Sequence, residues 1–164
     1  MIRKCQLDDI QRMYFIVNEA AKAYDGVIPA DCYRQPYMSL DELKLEMKRV
    51  TFFGWEVNGE LVGIMGIEPI KDVTLIRHAY VLSRFQHQGI GSKLLSHIRS
   101  LAINSPIMVG TWANAQWAIA FYQKHGFELL PHKDKLLKTY WDIPSRQIET
   151  SVVMGINVRQ DTKE

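Results

Sequence analysis

The residues with the clearest chemical potential are the consecutive Gln86, His87, Gln88, Gly89, Ile90, Gly91, Ser92 and Lys93. An apolar run from Val73 to Val81 leads into them, and Leu94, Leu95, Ile98 and Leu101 lead out at helical spacing. A glycine-rich turn between a strand and a helix start is a place to hold phosphate. The first backbone N–H groups of a helix have no partner inside it, and the helix dipole adds partial positive charge there. Gly89 and Gly91 carry no Cβ, so a ligand can approach the backbone closely and positive φ is open to them. Two common phosphate loops do not fit. A dinucleotide G-x-G-x-x-G needs a third glycine where Leu94 stands. A P-loop needs lysine before serine, and Ser92-Lys93 has the reverse order with no glycine at the required distance upstream. What remains is Q-x-x-G-x-G, and an ordinary ligand-free glycine turn stays open on those six residues alone.

The elements that would position this loop follow from periodicity and punctuation. Ile2 to Cys5 reads as a short strand. Asp8 with Gln11 predicts a helix start, and Ile10, Met13, Tyr14, Val17, Ala21 and Tyr24 form its apolar face, stopped by Gly26. Ser39 with Glu42 forms a capping box for a second helix carrying Leu40, Leu43, Met47 and Val50. Thr51 to Val57 and Glu60 to Ile67 are strands around Asn58-Gly59, a dipeptide suited to a tight hairpin. Val73 to Val81 is a strand, Gly91 to Ile103 a helix, Ile107 to Thr111 a strand, and Gln116 to His125 a helix ended by Gly126. Phe127 to Leu130 and Ser151 to Val158 complete the pattern, and the polar residues 159–164 are expected to fray. The order βααβββαβαββ predicts an α/β fold, a central mixed sheet covered by helices, in one domain over residues 1–164.

Composition narrows the function classes. The chain has 164 residues, 47% hydrophobic and 23% charged, which is the balance of a water-soluble globular protein. No apolar run approaches the ~18 residues a membrane span needs, and the start lacks an apolar signal core, so a cytoplasmic setting without membrane attachment is expected. The formal net charge of +2 comes from scattered basic residues, which argues against a nucleic-acid partner. Cys5 and Cys32 match no redox or metal spacing and read as reduced thiols. The five histidines, His78, His87, His97, His125 and His132, show no metal-ligand spacing, so no metal is expected.

Three segments in order resemble the GCN5-related N-acetyltransferases (GNAT) over nearly the whole chain. Gln86 to Gly91 is similar to that family's acyl-CoA pyrophosphate loop, Tyr80 to Gln86 to the strand entering it, and Phe121-Tyr122-Gln123-Lys124-His125-Gly126-Phe127 to its (F/L)-Y-x-K-x-G-F signature. The resemblance implies the acyl-CoA N-acyltransferase fold, acetyl-CoA as cosubstrate, and transfer of the acetyl group to a primary amine by direct attack. Ala79, Tyr80 and Val81 would lie along pantetheine, His87, Gln88, Gly89, Ile90, Gly91 and Ser92 would hold pyrophosphate, and Tyr122 would act as general acid near the sulfur. Asn114 stands close to the family's CoA-contacting asparagine but one residue further from Tyr122, with Ala115 on the matching position; capping of the following helix is the competing reading. The resemblance is also compatible with a homodimer.

The chemistry asks for a neutral amine, a stabilised oxyanion and a protonated or stabilised leaving thiolate. Glu68 and His78 are the candidates for the base. Arg77 and His78 interrupt an apolar strand, and strict alternation would send them to opposite faces. The competing readings are a satisfied core histidine and a solvated strand end for Glu68. The acceptor pocket is expected from the loop after the first helix, with Tyr24 and Tyr33, and from the long connection before the last strand, with Tyr140, Trp141 and Arg146. Aromatic rings and carboxylates can hold an amine, while Arg146 would favour an acceptor bearing a carboxylate. A CoA-binding sensor without turnover and an acyltransferase for longer acyl chains are the alternatives.

Overall fold

The Asn58-Gly59 turn sets the register of the first half of the sheet. Both residues take positive φ, 52° and 81°, and they join strand β2 (Thr51–Val57) to β3 (Glu60–Ile70) through a two-residue loop closed by Val57 opposite Glu60. Such a turn matches the right-handed twist of its strands. The computed structural model describes residues 1–158; the expectation for residues 159–164 lies outside them. Seven strands form one sheet in the order β1-β2-β3-β4-β5-β7-β6, with β1 at Ile2–Lys4, β4 at Val73–Val81, β5 at Ile107–Trp112, β6 at Glu128–Leu129 and β7 at Ser151–Ile156. Only β4 and β5 pair in parallel; the other neighbours are antiparallel. This is the mixed α/β sheet that the element order predicts.

Helix α1 (Ile10–Ala20) buries Ile10, Met13, Ile16, Val17 and Ala20 along one face. Its entrance differs from the expected Asp8 cap. A short 3-10 turn over Leu7–Asp9 precedes it, and Asp9 instead accepts from the Gln6 N–H at 2.7 Å. Helix α2 (Leu40–Glu46) starts as the capping box predicts, with Ser39 Oγ accepting from the Glu42 N–H at 3.1 Å. Helices α1 and α3 (Ile90–Leu101) both pack on β3 and β4. Leu61 to Gly66 is accordingly buried without alternation, as in a strand covered on both faces.

Two expectations change. Strand β3 runs to Ile70 rather than Ile67 and carries Glu68-Pro69 inside it. Beyond Ile67 only β4 pairs with it, so the missing proline N–H faces a free edge. The long connection before β7 is not open loop: it holds α5 (Lys133–Tyr140) and α6 (Ser145–Glu149), giving the order βααβββαβαβααβ. Both helices are too short to show a clear periodic stripe. Their ordering comes from Leu137 and Ile148, which join Val73, Leu75, Met108 and Val153 in a second buried cluster over β4, β5 and β7. Helix α4 (Gln116–Lys124) completes the set.

Candidate active site

Strands β4 and β5 pair only where Thr74 to Ile76 lie beside Ile107 to Val109, and then they part. Beyond that point the β5-facing edge of β4 is open, and two cavities flank the opening. The first, about 610 Å³, is bordered by Ala79, Tyr80 and Val81 on the strand, by Gln86, His87, Gly89, Ile90, Gly91 and Ser92 on the loop, and by Trp117, Phe121 and Tyr122 from α4. The second, about 620 Å³, lies on the side where the acceptor pocket is expected, hereafter the acceptor side, and is bordered by Tyr37, Glu46, Arg77, His78, Trp112 and Trp141 among others. Tyr24 and Tyr80 border both, so two rings form the wall between them.

The loop is built to present backbone. Gly89, at φ 80°, occupies the position before α3, and the Lys93 N–H makes the first helical bond to the Gly89 carbonyl at 3.0 Å. The N–H groups of Ile90, Gly91 and Ser92 therefore have no partner within the helix. Gln86 donates from its amide to the Val81 carbonyl at 3.1 Å and ties the loop to the strand. Gln88 bonds back to the Arg84 carbonyl at 3.4 Å and does not border the cavity. Ser92 Oγ is 2.9 Å from His125 Nε2.

Tyr122 is 5% exposed, wedged between Phe121 and Phe127, with ring centroids at 5.1 and 5.4 Å. Burial pushes its phenol above the ordinary value, so it stays protonated. Its hydroxyl makes no hydrogen bond to the described residues (its ring borders the first cavity), which leaves the proton free for a ligand. Asn114 meets neither expectation. It does not cap α4 and does not border the cavity; its amide donates to the Val27 carbonyl at 3.2 Å and pins the loop after α1. Ala115 is fully buried with Ile28 and Trp112.

On the acceptor side the phenols of Tyr24, Tyr37 and Tyr80 lie near one another, and burial pushes each above its ordinary value. Trp112 donates from its indole N–H to the Tyr37 hydroxyl at 2.8 Å. The mouth is bridged by Arg146, whose guanidinium reaches both carboxylate oxygens of Asp31 at 2.9 and 3.3 Å across 115 positions of sequence. Trp141 lies over Gly110 of β5, against which an added Cβ would come to 3.4 Å. Tyr140 is turned away, donating to Asp72 at 2.8 Å, and Tyr33 packs on Tyr37 at 6.4 Å without bordering the cavity.

The strand alternation expected for Arg77 and His78 is broken by a bulge. Tyr80 sits opposite Ile64 and Arg77 opposite Gly66, so the two residues His78 and Ala79 face one, Met65, and His78 takes φ 59°. The result brings both side chains to one carboxylate: Arg77 Nη2 and His78 Nε2 lie 3.2 and 3.3 Å from Glu46 Oε1. Arg49 holds the other oxygen at 2.9 Å. Burial alone would push Glu46 up, but hydrogen bonding to His78 and Arg49 and the nearby charges of His78 and Arg77 hold it well below the usual carboxylate range. Glu68 is not a solvated strand end. It is 7% exposed, lies behind Arg77, accepts from its guanidinium at 3.0 Å and does not border the cavity.

The fold thus gathers Ala79, Tyr80, Val81, the glycine loop and Tyr122 at one cavity, and Tyr24, His78, Trp141 and Arg146 at the other, while Gln88, Asn114, Tyr33, Tyr140 and Glu68 border neither. Sequence reasoning missed Glu46, Tyr37 and Trp112 on the acceptor side and Trp117 on the other. Trp117 stands five residues before Tyr122 in the same helix; it is 47% exposed and stacks on Tyr24 at 5.8 Å.

Residues 48–129 match the acetyltransferase (GNAT) domain family. Among solved structures, the chain is similar to a PaiA N-acetyltransferase from Thermoplasma acidophilum in complex with coenzyme A, with 16% identity, TM-score 0.71 and 94% and 96% of the two chains covered. It is similar to Ard1 from Thermoplasma volcanium, with 20% identity, TM-score 0.72 and 98% of each chain covered. The ribosomal-protein-S18-alanine N-acetyltransferase from Escherichia coli matches with 16% identity, TM-score 0.66 and 100% and 98% coverage.

Proposed function

The chain belongs to the GNAT acetyltransferase family, and on that premise we propose that it transfers the acetyl group of acetyl-CoA to a primary amine by direct attack, without a covalent enzyme intermediate. The observation that carries this reading is the pair of cavities meeting at Tyr24 and Tyr80 beside the parted strands. One cavity offers free helix N–H groups at a glycine loop, which suit a diphosphate. The other is lined by aromatic rings and fixed charges, which suit a polar acceptor. A thioester lying along Ala79 to Val81 would present its carbonyl carbon at the opening between them.

In this reading the amine nitrogen attacks the thioester carbon, and the Val81 N–H holds the developing oxyanion. The C–S bond breaks, and Tyr122 gives its proton to the leaving thiolate. The buried phenolate this creates is costly, so it recovers a proton quickly from the nitrogen that has just formed the amide bond. Every proton is accounted for by these groups and the solvent.

The test is thiol release from acetyl-CoA across a panel of primary amines, with calorimetry of CoA binding beside it. The expected outcome is CoA binding and at least one amine that accelerates thiol release well beyond hydrolysis. CoA binding without acceleration by any amine would turn the reading towards a sensor domain. Ala20 and Ala23 also border the CoA-side cavity and leave it space, so propionyl- and butyryl-CoA belong in the same experiment. A preference for them would change the donor and leave the mechanism standing.

A further inference from the structure

We propose that Glu46 is a positioning residue for His78, and that the two act as a carboxylate–imidazole dyad that takes the proton from the acceptor ammonium. This rests on the acetyl-transfer reading above. Four observations carry it. The bulge holds His78 at φ 59°, a conformation unusual outside glycine, and so turns its ring towards the acceptor cavity instead of the core. His78 Nε2 is buried and has no well-aligned hydrogen bond among the described residues, yet it lies 3.3 Å from Glu46 Oε1. A modest rotation of either side chain aligns the bond. Glu46 comes from the end of α2, a different element, and is itself clamped by Arg49 and Arg77. Finally, both groups border the same cavity, on the acceptor side of the Tyr24–Tyr80 wall.

The charges around the imidazole explain why the carboxylate matters. His78 lies against Glu46 from α2 at 3.3 Å and the Phe52 ring from β2 at 6.0 Å; behind Glu46 stand Arg49 just after it, Arg77 from the strand of His78 and Glu68 from β3, with Asp142 near Arg49. Among the described residues Glu46 is the carboxylate in contact with the imidazole, and without its charge a positive ring here has no paired anion beside it. Glu46 is too firmly paired with the arginines to serve as the base. Held ionised, it stabilises the imidazolium that forms when His78 Nδ1, the ring nitrogen left for the acceptor, accepts the ammonium proton. The N–H bond of the ammonium breaks, the amine lone pair is freed for attack, and the imidazolium returns its proton to solvent through the cavity. The logic is that of a carboxylate orienting a histidine base. Glu68, one step further behind Arg77, fixes the clamp and does not meet the acceptor.

Two measurements on the whole 164-residue chain keep this proposal distinct from the function it rests on. The first is NMR titration of the His78 ring in the wild type and in Glu46→Gln. The second is the pH profile of kcat/KM with acetyl-CoA and the best amine of the panel. The expected result is that Glu46→Gln moves the NMR titration of the His78 ring to lower pH. The acidic limb of the rate profile should move with it, and kcat should fall at least tenfold (~10) while the KM for acetyl-CoA stays within about twofold. His78→Gln should abolish that limb, and the double variant should be no slower than His78→Gln alone. A His78 titration that does not move, or a rate profile that does not follow it, overturns the proposal while leaving acetyl transfer intact. Wild-type protein inactive with every amine removes the function, and the proposal with it, whatever the titration shows. If Glu46→Gln does not fold, Glu46→Asp keeps the charge one methylene further away. It should restrain the titration shift to less than half of that caused by a charge-removing change at His78's other neighbour, Arg77→Met, and with the opposite sign; equal shifts of the same sign overturn the proposal.

Discussion

The two cavities that meet at Tyr24 and Tyr80 are built by different means. The CoA-side cavity is lined largely by one continuous run, Ala79 to Ser92, with α4 closing over it. Its glycine loop presents backbone N–H groups, at Gly89 with φ 80° and at the start of α3, beside the polar residues Gln86, His87, Ser92 and Lys124. The acceptor-side cavity is assembled from the loop after α1, the end of α2, β4, β5 and the α5–α6 segment, and it is bordered by charged residues such as Glu46, Arg77, His78 and Arg146. The contrast teaches which half can vary. A backbone site tolerates many side chains and offers one chemistry, whereas a side-chain site can be reshaped for another acceptor without touching the first.

If that division is right, variants should separate cleanly by cavity. The largest effect is expected in the first cavity, beside α4. Tyr122→Phe should lower kcat about 100-fold, the lower end of a general acid's contribution, with the KM for acetyl-CoA within about twofold; steady-state kinetics decide it, and an unchanged kcat removes the acid role. Next comes Gly89→Val, which forces a β-branched residue into a left-handed conformation at a cost of about 1–3 kcal/mol. CoA affinity by calorimetry should fall roughly tenfold, and circular dichroism verifies that the fold survives. An unaltered affinity would mean that the loop does not need its backbone shape.

A smaller effect is expected at the opposite mouth. Arg146→Ala breaks the exposed pair with Asp31, so the acceptor KM should change by about threefold while CoA affinity and melting temperature stay put, since exposed pairs add little to stability. Equal changes in both substrates' KM would deny the separation. The smallest effect is on stability against pH. Glu46 has its carboxyl held below the ordinary value in the folded protein. Its contribution is therefore fully present above the unfolded value of 4.5 and is lost as pH falls below that towards the folded one. Melting temperatures of the wild type should fall across that acid range, and those of Glu46→Gln should fall less steeply.

Much of the CoA-side cavity was legible along the chain. The order of Gln86, Gly89 and Gly91 after an apolar strand, the Asn58-Gly59 hairpin and the Ser39–Glu42 cap all report local rules, and all appear where those rules put them. Three failures had physical causes. Asn114 looks like a cap or a ligand contact, but a carbonyl 87 positions away claims its amide. Glu68 looks like a residue just past a strand, but β3 runs on to Ile70, its one-sided pairing past Ile67 tolerating Pro69. Tyr140 looks like pocket lining, but the unforeseen α5 turns it towards Asp72.

The meeting of Glu46 with His78 illustrates the limit. Nothing in the spacing of residues 46 and 78 marks them as partners, and strand alternation argues against Arg77 and His78 sharing a neighbour at all. Helix starts, tight turns and glycine loops depend on residues within a few positions of one another, so the order of amino acids was enough to reveal the glycine-loop end of this protein. The acceptor end depends on a bulge, an arginine clamp and two short helices ordered by distant core contacts. Those are settled only when the sheet closes and brings five segments of chain around one space.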